Sequence, residues 1–263
     1  MYNILIVEDS PSTNETIFLL LSEMKMYNLH QVLNFQEAKK FLQKDSYDFI
    51  ILDLNLPDAY GEELVYDIKK LTDAKIIVLT GDIDIELRES LFKKGILDYL
   101  VKEDHLTTAI EAINYDIEST QKNSNDTILI VDNSTFMCKQ LKTILNARNY
   151  NVSVAHTAKE SLEILHKQEI NAIVLDMELP DKHGLELLHE IKHIDEICHI
   201  PVLILSGTND PEVIRNALKT GASDFIKKPF NVEEFTLKVD LSGEMNRKHI
   251  EAKIKISKNV KRI

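Results

Sequence analysis

Several short apolar runs in this sequence end in residues that can do chemistry. "NILIV" (3–7) ends in Glu8 and Asp9, "YDFIIL" (47–52) in Asp53, "KIIVL" (75–79) in Thr80 and "LDYLV" (97–101) in Lys102. Carboxylates drawn together repel, raise one another's pKa and cost stability unless a cation neutralises them. A small hard dication with oxygen ligands, helped by a lysine, meets that need. A carboxylate that closes an apolar strand is itself costly unless something binds it, which singles out Asp53.

The second half repeats the arrangement. "TILIV" (127–131) ends in Asp132 and Asn133, "NAIVL" (171–175) in Asp176, "PVLIL" (201–205) in Ser206 and "SDFIK" (223–227) in Lys228. Equivalent positions are separated by 124 residues for Ile4 and Ile128, 123 for Asp53 and Asp176, and 126 for Lys102 and Lys228. A near-constant offset marks a tandem repeat of one domain. Both copies place Pro four and Gly eight residues after the central aspartate, in "LNLPDAYG" and "MELPDKHG", which is a loop with a fixed bend.

The elements that position these groups follow from periodicity. The runs are too uniformly apolar for strands with one wet face and read as parallel strands covered on both sides. Ile17, Leu20, Leu21 and Met24 form a helical stripe, as do Leu106, Ala109, Ile110, Ile113 and Ile117, and Leu141, Ile144 and Leu145. Alternating strands and helices imply a doubly wound α/β sheet, which holds ligands outside the carboxyl ends of its strands. The polar stretch "STQKNSND" (119–126) lacks an apolar period. Domains are therefore expected at 1–120 and 127–245, with a linker at 121–126 and a basic helical tail at 246–263.

An acid pair after strand one, a lone Asp before a Pro/Gly loop, Thr or Ser ending strand four and Lys ending strand five together resemble the receiver domains of two-component response regulators. The resemblance runs to about Met245. It implies two flavodoxin-like (βα)5 domains with five-stranded parallel sheets. It also implies that Asp53 accepts a phosphoryl group from a sensor histidine kinase or phosphotransfer protein. Mg²⁺ would be held by Asp9 and Asp53, by Glu8 through water, and by the backbone carbonyl of Asn55. Lys102 and Thr80 would contact the phosphoryl oxygens, and Tyr99 matches the aromatic that turns inward on switching. Such a protein assists its own phosphorylation and dephosphorylation without being an enzyme in the ordinary sense.

The copies differ at the metal. Asn133 stands where Asp9 stands, and a neutral amide oxygen is the weaker ligand, so Asp132, Asn133 and Asp176 form a poorer site unless Glu178 swings in. An exposed loop position is the expectation for Glu178. Asp176 and Lys228 are expected to settle into a direct ion pair, and Phe225 replaces Tyr99 without its hydroxyl. The first copy reads "KED" after its lysine where the second reads "KPF", whose Lys228-Pro229 bond the resemblance makes cis. One working phosphorylation site and one adaptor are expected.

The chain carries 31 Lys and Arg against 43 Asp and Glu, a formal charge of −12, which argues against direct nucleic-acid binding by the whole surface. Cys138 and Cys198 are too few for a disulfide framework and are expected half-buried in a reducing cytoplasm. With no export signal and no apolar run long enough for a membrane, a cytoplasmic protein without membrane contact is expected. From 246 to 263 there are seven Lys or Arg and one Glu. Leu237, Leu241 and Met245 suit a last helix continuing outward, toward a homodimer contact or an output domain outside this chain. An alternative reading is the regulatory part of a diguanylate cyclase regulator, although no "GGDEF" occurs. Another is a haloacid dehalogenase-type phosphatase, which wants a second Asp where this chain has Asn55 and Glu178.

Overall fold

A computed structural model describes residues 1–24, 26–81, 83–102 and 106–260, with side chains described through 253 and at 255. Two compact units divide the chain, Met1–Thr120 and Gln121–Ile263.

The first unit alternates β1 (Tyr2–Val7), α1 (Pro11–Ser22), β2 (Tyr27–Val32), α2 (Phe35–Lys44), β3 (Phe49–Leu52), α3 (Gly61–Lys69), β4 (Lys75–Thr80), α4 (Ile85–Lys93), β5 (Asp98–Val101) and α5 (Leu106–Asn123). The second repeats it as β6 (Thr127–Val131), α6 (Thr135–Ala147), β7 (Asn151–Ala155), α7 (Ala158–Lys167), β8 (Ala172–Asp176), α8 (Gly184–Lys192), β9 (Val202–Ser206), α9 (Pro211–Thr220), β10 (Asp224–Lys227) and α10 (Val232–Val260). Each sheet is parallel and five-stranded. The orders are β2-β1-β3-β4-β5 and β7-β6-β8-β9-β10, so each strand order reverses beside the first strand of its copy. That reversal leaves a crevice at the carboxyl ends of the central strands.

Uniform burial of β3, β8 and β9 on both faces explains their unbroken apolar sequences. One cluster gathers Ile4, Ile6, Ile51, Ile77, Leu79 and the α5 stripe Ile110, Ile113 and Ile117. Another gathers Leu129, Val131, Ile173, Leu175, Leu187, Leu188, Val202 and Ile204. The helices after the acid pairs start at matching serines: Ser10 accepts from Thr13 N, and Ser134 from Met137 N. A capped helix start holds the preceding loop against its strand end.

Two expectations need correction. Residues 121–123, read as the start of a linker, are the last turn of α5. Their polarity misled because Gln121 and Lys122 lie on the helix's exposed face, while buried Asn123 is satisfied by donating to Arg148 O. Cys138 is fully buried rather than half-buried, with its thiol pushed up to about 11 by burial and by the Asp132 charge. Leu237, Leu241 and Met245 lie on the expected last helix, α10, and face solvent, while Val232, Phe235, Val239, Ser242 and Asn246 face the core. No helix among the described residues is long and apolar enough to cross a membrane.

The inner face of α10 is tied down by charge. Asp240 accepts from Arg148 Nε at 3.0 Å and Nη2 at 2.6 Å, and Tyr150 Oη donates to its other oxygen at 2.7 Å. A Cβ at Gly243 would come within 3.3 Å of Asp126 Oδ2 and 3.4 Å of Tyr150 Oη, so the small residue lets the helix approach this network.

Candidate active site and its second copy

In the first unit the strand ends deliver the expected groups to one place. Glu8 follows β1 and Asp53 follows β3, both buried, whereas Asp9 is exposed. Lys102, just after β5, sets its Nζ 2.5 Å from Glu8 Oε2 and 2.7 Å from Asp53 Oδ2. Its position is fixed by its own backbone, since Lys102 N donates to Thr80 O at 2.7 Å. Asp53 N donates to Val7 O, and Asp53 Oδ1 accepts from Asn55 N at 3.2 Å. One oxygen from each of Glu8, Asp9 and Asp53 falls within 4.8 Å of the others, a spacing that an oxygen-ligated dication can span.

Burial raises the pKa of Glu8, and Asp53 adds repulsion, against the lowering influence of Lys102. For Lys102 burial is the largest influence and would lower the pKa, but the hydrogen bonds and charges of Asp53 and Glu8 together raise it. The ammonium is therefore firmly held as a cation. Thr80 is buried at the end of β4, and Tyr99 is buried under the Arg88 guanidinium, 5.6 Å from the ring centroid. Glu103 and Asp104, the departure from the usual sequence after the lysine, lie outside the described residues.

The second unit repeats the lysine geometry with one carboxylate fewer. Lys228 Nζ lies 2.8 Å from Asp132 Oδ2 and 3.1 Å from Asp176 Oδ1. The direct pair expected to set this site apart thus has its counterpart in the first. Burial raises the pKa of Asp176, with Lys228 opposing. Asn133 and Glu178 are both exposed. Glu178 is paired in a backbone bridge with His183, and among the described residues no third carboxylate joins Asp132 and Asp176 at metal-binding spacing. Ser206 is buried at the end of β9, Phe225 is half-buried against the core, and the Lys228-Pro229 bond is cis.

The family model described as "Response regulator receiver domain" matches residues 4–114 and again 128–240. The chain belongs to the response regulator receiver family. It carries two receivers in tandem, a signalling module of two-component response regulators. The transcriptional regulatory protein CrdR of Helicobacter pylori is 30% identical over 112 residues, 43% of this chain and 52% of that protein. The aerobic respiration control protein ArcA of Escherichia coli is 35% identical over 121 residues, 45% of this chain and 50% of that protein. The chain thus spans about half the length of these curated relatives. A solved structure described as a probable two-component system response regulator/GGDEF domain protein shares the fold of both receivers. It has a TM-score of 0.74 at 24% identity and covers 94% of this chain and 100% of that one.

The two receivers use their shared loop glycine for different reasons. Gly61 adopts φ +63°, and a Cβ there would meet nothing within 4 Å. Gly184 has no such dihedral, but a Cβ would stand 2.6 Å from Asp176 O and 2.7 Å from Met177 Cα. Gly61→Ala is therefore expected to cost about 1 kcal/mol, the strain of a left-handed alanine. Gly184→Ala must displace the backbone at Asp176 and should cost roughly 2–3 kcal/mol by overpacking. Urea midpoints of the two variants check this, and equal losses would contradict it.

Sequence reasoning missed the aspartate five positions after each central one. Asp58 accepts from Phe35 N and Gln36 N at 2.9 Å each, and Asp181 accepts from Ala158 N at 2.9 Å and Lys159 N at 3.0 Å. Each staples its loop to the start of the preceding helix, α2 or α7. The signal was present as "LPD" in both copies. Also missed was Asn14, which donates to Glu8 O at 2.8 Å and Val32 O at 2.9 Å. In the second receiver Cys138 and His156 take over at Asp132 O, at 3.2 and 3.0 Å.

Proposed function

We propose that the first receiver is a phosphorylation switch in which Asp53 is the acceptor. The observation that carries this reading is the convergence of Lys102 on Glu8 and Asp53 with Asp9 exposed beside them. An Asp53 oxygen attacks the phosphorus of a phosphohistidine on a sensor kinase or phosphotransfer protein. The phosphorus–nitrogen bond breaks, and the imidazole leaves with its electron pair. Asp9, Asp53, Glu8 and the Asn55 carbonyl fit Mg²⁺, which when bound supplies charge neutralisation at the transferring group. Lys102 gives up part of its pairing with Asp53 to hold phosphoryl oxygens, and Thr80 donates to them as the charge approaches −2. Incubation with acetyl phosphate and Mg²⁺, followed by mapping of the modified residue, tests the reading. Label on Asp53 supports it; label confined to any other residue overturns it.

The second receiver is proposed as an adaptor that keeps the shape of the site but turns over slowly. Asn133 removes a full charge from the metal position, and exposed Glu178 does not replace it. Asn133→Asp should strengthen Mg²⁺ binding there by about tenfold or more, a gain of 1.4 kcal/mol per tenfold. It should also make Asp176 labelled in an Asp53→Asn background. If Asp176 of the unaltered chain labels as fast as Asp53, the adaptor reading fails.

A further inference from the structure

Histidine is unevenly placed in this chain. Seven of the nine histidines fall in the second unit, and two of them stand in "HEIKH" (189–193), the one His-x-x-x-His spacing of the sequence. Residues four apart share one face of a helix. Two histidines so placed are a metal-ligand arrangement, the one that zinc proteases build on H-E-x-x-H. His189 lies in the last turn of α8, and His193 caps that helix. Both are exposed, and their rings stack with centroids 4.0 Å apart and an interplanar angle of 29°. The equivalent positions of the first receiver, 123 earlier, are Tyr66 and Lys70, whose ammonium lies 3.8 Å from the tyrosine ring centroid. The histidine pair therefore belongs to the second receiver alone.

We infer that His189 and His193 together bind a divalent transition-metal ion of the zinc class. The tautomer favours it. His193 Nδ1 stands 2.7 Å from His189 O. A carbonyl only accepts, so Nδ1 carries the proton and donates, and the neutral ring keeps its lone pair on Nε2. Such a bond to backbone is the usual device that orients a ligating imidazole. Zinc–imidazole bonds of about 2.0–2.1 Å put two nitrogens on one ion roughly 3 Å apart. Rings stacked at 4.0 Å reach that spacing by small χ rotations of two exposed side chains. The carbonyl end of the helix favours a cation. The neighbouring Lys192 ammonium is already held by Cys198 O and Ile200 O, at 2.9 and 2.6 Å. Glu190, where a zinc protease has its general base, is paired with Lys182, so this turn offers ligands for an ion rather than a hydrolytic centre. Imidazole selects zinc over Mg²⁺, which prefers the carboxylate oxygens at the strand ends. With two protein ligands the rest of the shell is water, and the ion exchanges, unlike one closed in by the four ligands of a structural zinc site.

Titration of the full chain with Zn²⁺, in excess Mg²⁺ and without phosphodonor, read by calorimetry and by the histidine ring-proton signals, tests the site. The signals of His189 and His193 are expected to shift ahead of those of the other seven histidines. His189→Ala and His193→Ala should each weaken binding at least about tenfold. Their urea midpoints without zinc should not change, because both side chains are exposed. His199→Ala and His249→Ala, which break the other stacked pair of the second unit, should bind like the unaltered chain. An affinity unaltered by replacing His189 and His193 overturns the inference, as does one lost with His199 or His249. Histidine signals that do not move with Zn²⁺ overturn it too. Because no phosphodonor is present, these outcomes are separate from the fate of the Asp53 assignment.

Discussion

Asp53→Asn should reduce phosphoryl incorporation from acetyl phosphate to the level of a control without Mg²⁺. The side chain has one oxygen paired with Lys102 and the other accepting from Asn55 N, so the amide fits the same space and the receiver keeps its fold. On the role proposed for Asp53, what the amide lacks is nucleophilicity and the negative charge that would draw the metal. A residual rate within about a factor of three of the unaltered chain, under 1 kcal/mol of lost barrier difference, would remove Asp53 from the mechanism. Retained urea midpoints in the variant keep a loss of label from being a loss of fold.

Asp240→Ala should destabilise the second receiver by about 3–5 kcal/mol, the usual result of breaking a buried ion pair from one side. The change removes the carboxylate that pairs with the buried Arg148 guanidinium and accepts from Tyr150 Oη. Hydrogen exchange of β6 to β10 measures the loss where it occurs. A loss below about 1 kcal/mol, the scale of an exposed pair, would mean that water already shares this network.

The placement of the candidate site's residues was legible because they sit at the ends of strands whose sequences are apolar throughout. Glu8, Asp53, Thr80 and Lys102 interrupt such runs, and an interruption by a charged or hydroxyl residue is conspicuous. The edge strands β2 and β7 were not legible. "YNLHQV" and "NVSVA" are only partly buried, one neighbour being absent, so they carry neither an unbroken run nor a clean alternation. The inner face of α10 was not legible for a related reason. Its buried Thr236, Ser242 and Asn246 are polar, while its large apolar residues at 237, 241 and 245 point to water, so hydrophobicity alone does not pick out the buried side. The end of α5 was hidden because Gln121 and Lys122 are exposed and buried Asn123 is satisfied by a partner distant in sequence, Arg148 O. Asp58 and Asp181 were overlooked because their partners, the first amides of α2 and α7, lie 22 or 23 residues back along the chain.

That pair of aspartates has a consequence for how the receivers breathe. By holding two amides at the start of α2, Asp58 makes the loop after Asp53 and the first turn of that helix open together rather than one at a time, and Asp181 does the same for the loop after Asp176. Local openings in proteins run through such cooperative blocks. On the role proposed for Asp53, a donor would meet a loop already fastened to its neighbouring helix, with the cost of ordering it met during folding.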